Sequence, residues 1–352
     1  MTIEIREDNL PEQLAVRQAL GLQPVMELLW GMGTSRVLIA AARLGILARL
    51  AKDPATLDQL ITELSLAPEP TRLLLNTLAA SGYLTLADGS YDFSEQSRKW
   101  LDPASPISVN GFVEHGDDLW NWWAGLEDAV RDGHQPDSHR SDSADGFWRR
   151  YITAQYELAR LSAWDVAGKI EVPPGARTVL DVAGGHGWFS AELYRLHPAL
   201  HATVVDLPGS AAVGRDIIAA NGMADRVTHV DGDALTADLG GPYDVILCYN
   251  LVHHLSDTQA SALMKRLQDA LSPDGMLAVL DMFAETPEQD LNNASMGLLF
   301  YLTSGGTTYT AADLHRWLAD AGFGTPTRIS SPAIEQLYTV RKPSPTDNGR
   351  PA

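Results

Sequence analysis

Residues 180–189, LDVAGGHGWF, begin with apolar residues typical of a β-strand and then place three glycines within five positions. A residue without a Cβ atom lets the backbone turn tightly and approach a ligand closely. In open α/β sheets, the loop between the first strand and the next helix is a usual ligand contact. The stretch therefore predicts a ligand-binding loop, and the neighbouring sequence has to indicate which ligand it holds.

From about residue 171 onward, strand-like and helix-like segments alternate at the spacing of βαβ units. The strand-like segments cover residues 178–185, 201–208, 226–233, 243–252 and 276–283. This alternation predicts an open, mostly parallel, doubly wound α/β sheet with helices on both faces. A hairpin over 325–341 is expected to close the sheet.

Aspartates stand near the ends of the first three predicted strands, at Asp181, Asp206 and Asp233. Glycine-rich loops bind dinucleotides or S-adenosylmethionine (SAM), and the dinucleotide fingerprint is matched only in part, with Ser190 at its third glycine. Asp206 suits the ribose hydroxyls of either cofactor, and Asp233 is placed to accept from an adenine amine. Asp181 favours SAM, because SAM presents a cationic ammonium and sulfonium where a dinucleotide presents a pyrophosphate that a carboxylate would repel.

The first hundred residues predict helices followed by a hairpin. A helix is expected over 35–51, another begins after the N-cap Thr56, a third ends at Gly82, and Asp88-Gly89 is a strong hairpin signal. This order predicts a winged-helix unit. DNA binding is disfavoured, because the third helix offers Arg72 beside Glu69 and the chain carries a formal charge of −19. We therefore expect residues 1–105 to be a packing and dimerisation domain.

Residues 106–170 are predicted to be linking helices rich in large aromatic side chains. Most of these side chains are expected in a helical core. Three tryptophans at 120, 122 and 123 cannot all face one way on a helix, so at least one should line a cavity or an interface.

The series LDVAGGHG, VVDLP, HVDGDAL, YDVILCYNLVHHLSD, LSPDGMLAVLDMF and SGGTTYTAADLHRWLADAGF resembles the SAM-dependent small-molecule O-methyltransferases of the plant caffeate and bacterial polyketide-tailoring type. The resemblance implies a class I, Rossmann-like methyltransferase domain over 171–342, followed by a flexible tail, 343–352. It also implies a homodimer in which the N-terminal helices help to close the partner's active site, with S-adenosylhomocysteine (SAH) as the cofactor product. The residues expected to hold SAM are Asp181, Gly184, Gly185, Gly187, Asp206, Leu207, Asp233, Ala234 and Tyr249.

His253 follows the fourth predicted strand, where the methyl group would lie, and matches the family's catalytic histidine. A histidine titrates near neutral pH and is a natural base for a phenol. Asp281 is expected to orient it, at a position where the plant enzymes place a glutamate, and His254 is expected to support it where relatives often have aspartate. A second family glutamate falls at Thr308 and a family lysine at Tyr249. These departures leave cofactor binding intact and reduce the carboxylate pair to one.

Other chemistries on the same SAM site remain alternatives: C- or N-methylation, decarboxylation, hydroxylation and pericyclic rearrangement. A dehydrogenase or a regulator is a more distant alternative. No metal is expected, since segment 292–306 offers no histidine or carboxylate. Aromatic residues and methionines make flat, adaptable apolar walls for a planar hydroxylated acceptor. The candidates are Met26, Trp30, Trp120, Trp123, Trp148, Tyr151, Met296, Phe300 and Tyr301.

Composition indicates the compartment. We expect no apolar stretch to approach the length of a membrane span, and the acidic N-terminus does not resemble a secretory signal. The single cysteine, Cys248, lies in an apolar run and excludes an intrachain disulfide. We therefore expect a cytoplasmic enzyme that binds neither membranes nor nucleic acid.

Overall fold

The computed structural model describes residues 23–134, 146–284, 291–329 and 335–343. The chain divides after Asp117 into two compact units. The predicted boundaries at 105 and 170 remain predictions; in the structure, the second unit includes the long helix that we assign to the linking segment.

The first unit contains helices and a small antiparallel sheet of strand order β1-β3-β2. Its helices are α1 (Gln23–Met26), a π-helical segment (Glu27–Gly31), α2 (Met32–Arg43), α3 (Ile46–Leu50), α4 (Leu57–Leu64), α5 (Pro68–Ala80), α6 (Glu95–Leu101) and α7 (Asn110–Trp123), the last of which crosses the division. Its strands are β1 (Ala55–Thr56), β2 (Leu84–Ala87) and β3 (Ser90–Phe93).

Local sequence signals account for these elements. Thr56 begins α4 with a capping box, in which its hydroxyl accepts from the Gln59 N–H and the Gln59 side chain accepts from the Thr56 N–H. The β2–β3 turn uses left-handed backbone at Asp88 and Gly89, with φ of 52° and 76°. Both predicted features are therefore confirmed.

The expectation that no window approaches a membrane span is wrong for one stretch of the described chain. Pro24–Arg43, 20 residues of mean hydropathy 1.2, is long and apolar enough to span a membrane by length and composition. The stretch qualifies because few of its residues are charged, although its apolar residues are not continuous. Leu28, Leu29 and Trp30 are more than half exposed in the single chain. A single helix of this kind is weak evidence for a membrane span.

The second unit is built on a seven-stranded sheet of order β11-β12-β8-β7-β4-β5-β6. Its strands are β4 (Thr178–Val182), β5 (His201–Asp206), β6 (Val227–Asp231), β7 (Tyr243–Tyr249), β8 (Leu271–Asp281), β9 (Phe283–Ala284), β10 (Tyr309–Thr310), β11 (Thr327–Ile329) and β12 (Gln336–Arg341). Its helices are α8 (Leu126–Asp132), α9 (Phe147–Lys169), α10 (Trp188–Leu196), α11 (Pro208–Ala220), α12 (Asp257–Ala270), α13 (Leu291–Ser304) and α14 (Ala311–Asp320), with a 3-10 turn at Val252–His254.

The five strands β4 to β8 are parallel, and β12 runs antiparallel to β8. The central strands β4, β7 and β8 are mostly buried, as expected from their apolar sequences, whereas β6 at the edge of the sheet is largely exposed. Leu180 and Ile246 face a core with α12 and α14, whereas Val179 and Val245 face a core with α9 and α10. The predicted doubly wound sheet and closing hairpin are confirmed.

Three details differ from the sequence interpretation. The helix predicted through residue 275 ends at Ala270, because Leu271 already pairs with Tyr243 in the sheet. The helix predicted over 115–133 is divided into α7 and α8 at Ala124-Gly125. A short parallel pair, β9 with β10, has no sequence signal.

Gly214, in α11, offers a test of how closely this helix packs on the glycine loop. A Cβ atom at residue 214 would overlap the Gly185 carbonyl oxygen and the His229 ring, and the carbonyl belongs to backbone that cannot move aside. We expect Gly214→Ala to lower the free energy of unfolding by about 1–3 kcal/mol, measured by urea denaturation.

Gly168→Ala is the matched control, since it is also a helical glycine and a Cβ there meets nothing within 4 Å. Its stability should be unchanged or raised by less than about 1 kcal/mol. Equal stability of the two alanine variants would contradict the packing that we describe.

Candidate functional site

The carboxyl ends of β4, β5, β7 and β8 lie side by side at one edge of the sheet. Asp181, Asp206 and Asp281 occupy three of these strands, and His253 lies in the turn after the fourth. The topology therefore brings the predicted cofactor aspartates and the predicted catalytic pair to the same edge, as expected for ligand sites in open α/β sheets.

The glycine loop after β4 is attached to the end of β5. The Gly185 N–H donates to the Asp206 carboxylate at 2.7 Å, and the Leu207 N–H donates to the other oxygen of the same carboxylate at 2.6 Å. A Cβ on Gly184 would overlap the Asp181 carboxyl group. Gly187 begins α10 with a φ of 68°, which a glycine adopts without strain. Gly184 thus avoids a steric clash, whereas Gly185 and Gly187 adopt left-handed backbone conformations, with φ of 50° and 68°.

The carboxyl edge also stores backbone strain. Ala183, before the loop, and Asn250, after β7, have left-handed φ values of 53° and 50°. The Ala183 N–H donates to the Val205 carbonyl at 2.7 Å, which holds the turn in place. A residue such as alanine pays about 1–2 kcal/mol for this conformation. Strain of this kind at a strand end is typical of a functional loop.

Asp181 and Asp206 are carboxylates without an ion-pair partner among the described residues. Desolvation raises the pKa of Asp181 to about 7, and the nearby charge of Asp206 also raises it. The hydrogen bond that Ser190 donates at 2.8 Å lowers it in part. Desolvation also raises the pKa of Asp206 to about 6, although its backbone N–H donors lower it. A cationic ligand with hydroxyl donors would stabilise both groups in the ionised form.

His229, on β6, also contacts the glycine loop. Its Nε2 contacts the Gly185 carbonyl at 2.9 Å, so the Gly185 peptide is held at its N–H by Asp206 and at its carbonyl by His229. Burial lowers the pKa of His229, although the contact with the Gly185 carbonyl raises it. Neither His229 nor Ser190 was predicted as part of the site, since a single histidine or serine carries no pattern.

The remaining predicted cofactor residues lie around the same edge. Asp233 is partly buried after β6, with its Oδ1 accepting from the Leu235 N–H at 2.8 Å, and Ala234 beside it is buried. Leu207 follows Asp206 and caps α11. Tyr249 ends β7, and its buried hydroxyl has no hydrogen-bond partner among the described residues. Burial, with the charge of Asp181 second, raises the Tyr249 pKa well above its usual value.

His253 and Asp281 form the predicted pair. The His253 Nδ1 lies 2.6 Å from Asp281 Oδ1, and both side chains are buried. The backbone N–H groups of Val252 and Met282 also donate to the Asp281 carboxylate, at 3.1 and 2.7 Å. Because the carboxylate already accepts from two backbone N–H groups, we assign the proton of the remaining contact to His253 Nδ1, which leaves Nε2 as the acceptor.

The Nε2 atom and the ring face of His253 contact other side chains. Its Nε2 lies 3.0 Å from His254 Nε2, and His254 Nδ1 lies 2.9 Å from Ser304 Oγ on α13. The Phe300 ring stacks on the His253 ring, with centroids 3.7 Å apart. A Cβ on Gly306 would overlap the His253 carbonyl oxygen, so this glycine admits the close approach of the 304–308 segment.

Thr308, at the position of the second family glutamate, is buried and donates to the Asn293 carbonyl at 3.4 Å. It therefore joins α13 to the segment after it. The described residues contain no group of three or more histidine, cysteine or acidic side chains that could hold a metal ion.

The predicted acceptor-wall residues separate into several sets. Met26 and Trp30 belong to the first unit and Trp30 is exposed, as is Trp123 on α7. On α9, the Tyr151 ring stacks on Phe147, and a Cβ on Gly209 would overlap the Trp148 ring. The charge of Asp206 contributes to a raised pKa of Tyr151, after burial, so this residue lies near the cofactor edge.

The rest of the wall is on α7 and α13. Trp120 is partly buried, as are Met296 and Tyr301, and the Tyr301 hydroxyl donates to the Gly133 carbonyl at 3.4 Å. Phe300 is buried, and its ring stacks on the His253 ring. The structure thus brings Trp148, Tyr151 and Phe300 close to predicted site residues.

Comparison with known proteins identifies the family. An O-methyltransferase domain model matches residues 123–324, and an O-methyltransferase dimerisation domain model matches residues 26–103. The tetracenomycin polyketide synthesis 8-O-methyl transferase TcmO of Streptomyces glaucescens is 30% identical over 91% of this chain and 96% of its own. The aclacinomycin 10-hydroxylase RdmB of Streptomyces purpurascens is 32% identical over 78% of this chain and 70% of its own.

Among solved structures, human N-acetylserotonin methyltransferase in complex with SAM superposes with a TM-score of 0.81, at 20% identity, over 96% of this chain and 100% of its own. The residues at the carboxyl edge fit this cofactor: a glycine cradle, two carboxylates without cationic partners and the buried Tyr249 hydroxyl. The chain belongs to the SAM-dependent O-methyltransferase family and carries that family's dimerisation domain.

Proposed function

We propose that this enzyme methylates a hydroxyl group of a small aromatic or polyketide-like compound, with His253 taking up the hydroxyl proton. The observation that carries the proposal is the 2.6 Å contact of His253 with buried Asp281, at the same sheet edge as the glycine loop. Bound SAM supplies a methyl group already activated on a positively charged sulfur. The protein therefore has to align the acceptor and remove its proton.

The cofactor residues are proposed to act as follows. Asp206 accepts from the ribose hydroxyls, Asp181 faces the ammonium and sulfonium charges, and Asp233 accepts from the adenine amine. Gly184, Gly185 and Gly187 let the backbone approach the ligand, while Leu207, Ala234 and Tyr249 line it. The raised pKa values of Asp181 and Asp206 support this arrangement, because the bound cation would offset the cost of keeping both carboxylates ionised.

These carboxylates predict that SAM affinity depends on pH. With SAM absent, protonation of Asp206 near pH 6 and of Asp181 near pH 7 removes the negative charges that the ligand requires. We expect the SAM dissociation constant, measured by calorimetry, to rise at least about tenfold between pH 7 and pH 5. This range lies below that in which an α-amino group loses its proton.

Asp206→Asn should weaken SAM binding at pH 7 and flatten the change near pH 6. Asp225→Asn, which alters an exposed aspartate paired with Arg226, is the control and should keep the wild-type profile. Affinity that stays constant from pH 7 to pH 5 in the wild-type enzyme would argue against ligation by these two carboxylates.

If His253 is the base, replacing it should lower turnover without weakening SAM binding. We expect His253→Gln to lower kcat by about 10²- to 10⁴-fold, because general-base catalysis is removed. SAM affinity should stay within a few fold. Turnover can be followed as SAH release with a panel of dihydroxynaphthalenes and hydroxyanthraquinones as acceptors.

His315→Gln, on the exposed face of α14, is the matched control and should keep wild-type turnover. A fully active His253→Gln enzyme would show that this histidine is not the base. A wild-type enzyme that binds SAM and transfers no methyl group to any hydroxyl would instead favour one of the other chemistries of this fold.

The acceptor is proposed to lie against aromatic walls provided by Trp120, Trp148, Tyr151, Met296 and Tyr301, which suit a planar ring system. Hydroxylation is a second candidate, supported by the hydroxylase named among the relatives. The buried His253–Asp281 pair favours O-methylation over it, because proton removal from a hydroxyl needs such a base.

The dimerisation domain supports a homodimer, and we propose that the exposed apolar side chains of Leu28, Leu29 and Trp30 are covered by the partner. Met26 and Trp30 would then help to close the partner's site, as the family resemblance implies. A cytoplasmic location is proposed as well, consistent with the buried, unpaired thiol of Cys248.

A further inference from the structure

We propose that His253 and His254 act together as one proton acceptor, with the Ser304 hydroxyl as the group that lets the pair gain and lose a proton. This inference rests on the proposed O-methyl transfer and goes beyond it, because it assigns the base function to two rings and adds a residue on α13. It starts from a count of the protons that the hydrogen bonds around the two rings require.

Four contacts connect Asp281 to α13 through the two imidazoles. They are His253 Nδ1 to Asp281 Oδ1 at 2.6 Å, His253 Nε2 to His254 Nε2 at 3.0 Å, His254 Nδ1 to Ser304 Oγ at 2.9 Å and Ser304 Oγ to the Phe300 carbonyl at 3.0 Å. Each contact needs one proton between its two atoms. The positions of these protons can be assigned because each nitrogen or oxygen donates and accepts a fixed number of hydrogen bonds.

The Phe300 carbonyl can only accept, so the single proton of Ser304 is used in that contact. His254 Nδ1 must then carry a proton of its own, donated to Ser304 Oγ. One further proton lies between the two Nε2 atoms, and His253 Nδ1 carries another. In this arrangement the two rings hold three protons, one more than two neutral imidazoles, so it corresponds to the pair after it has taken up one proton.

Removing one proton requires only a rotation of the Ser304 hydroxyl. In the neutral pair, His254 Nε2–H still donates to His253 Nε2, and Ser304 turns its proton from the Phe300 carbonyl to His254 Nδ1. That carbonyl lies in α13, where the helix backbone provides another donor. The pair can therefore exist in two protonation states without leaving a buried nitrogen unmatched, which would cost about 1–3 kcal/mol.

Groups around the two rings can stabilise the positive charge that the pair holds after it takes up the proton. Asp281, on β8, supplies the opposite charge, and the Phe300 ring, on α13, stacks on His253 at 3.7 Å. An aromatic face stabilises a cation placed over it. Cys248, on β7, stays a neutral thiol because burial and the charge of Asp281 raise its pKa. The charge lost by the sulfonium during the reaction would thus reappear on an imidazole pair that is built to hold it.

Methyl transfer to the acceptor oxygen leaves one proton for the protein to take up. The acceptor oxygen forms a bond to the methyl carbon, and the carbon–sulfur bond breaks with its electron pair left on sulfur as neutral SAH. The hydroxyl proton passes to Ser304 Oγ while the Ser304 proton moves to His254 Nδ1, because the other three ring nitrogens are already hydrogen-bonded within the pair or to Asp281. Solvent removes this proton before the next turnover.

The first test measures the proton count in the SAH complex of the intact enzyme labelled with ¹⁵N-histidine. Nitrogen spectra recorded from pH 5 to 9 should show the His253 and His254 rings responding together over one pH range, as a coupled pair that takes up one proton. In His254→Gln, His253 should respond alone and at a different pH. Two rings that each take up a proton independently of the other would overturn the proposal.

The second test uses the kinetics of His254→Gln, in which the glutamine amide can still donate to His253 Nε2 but cannot take up a proton. We expect kcat to fall by about 10- to 100-fold at neutral pH, with the acceptor KM and SAM affinity within a few fold. The loss should shrink as the pH approaches the range in which the phenol acceptor ionises unaided. A purely structural role would give a loss that is independent of pH.

Ser304 provides the conservative comparison. Ser304→Ala should lower kcat about 3- to 10-fold with the same recovery at high pH, whereas Ser304→Thr keeps a hydroxyl at the same place and should restore the rate. If His253→Gln is inactive while His254→Gln and Ser304→Ala keep wild-type kcat, the pair is not the base and the proposed function stands. If His253→Gln itself is fully active, the proposed function fails.

Discussion

The Gly185 N–H to Asp206 hydrogen bond is the interaction on which the rest of the site depends. It attaches the loop after β4 to the end of β5, and the His229 contact with the Gly185 carbonyl and the close approach of Gly214 fix the same peptide from the other side. The position of α10, and of Ser190 and its bond to Asp181, follows from this loop. A rigid loop lets two carboxylates stay close together although burial disfavours their charges.

The same edge of the sheet organises the acid–base groups. Asp281 ends β8 and contacts the His253 ring at Nδ1, while the N–H groups of Val252 and Met282 also donate to the same carboxylate. The carboxylates that we propose for the cofactor and the imidazole pair that we propose for the proton thus lie near the ends of adjacent strands. The geometry explains how one surface can receive a cation, release a neutral product and hold the positive charge that remains.

The sequence predicted the elements that depend on local chemistry or on continuous apolar runs. Asp88-Gly89, Thr56 and the strands that contain Asp181 and Asp206 are examples, because turn, cap and strand signals depend on only a few neighbouring residues. It did not predict Ser304, His229 or Gly306, which act through contacts between residues that are 44 or more positions apart. It also treated Phe300 as an acceptor wall, since periodicity cannot tell which partner an aromatic ring will stack on.

A crystal structure of the enzyme with SAM bound tests the central claim most directly. We predict that the ribose hydroxyls contact Asp206, that the ammonium group lies near Asp181, and that the transferable methyl group points toward the rings of His253 and His254. A donor bound away from these carboxylates, or a His253 ring turned from the methyl group, would contradict the account.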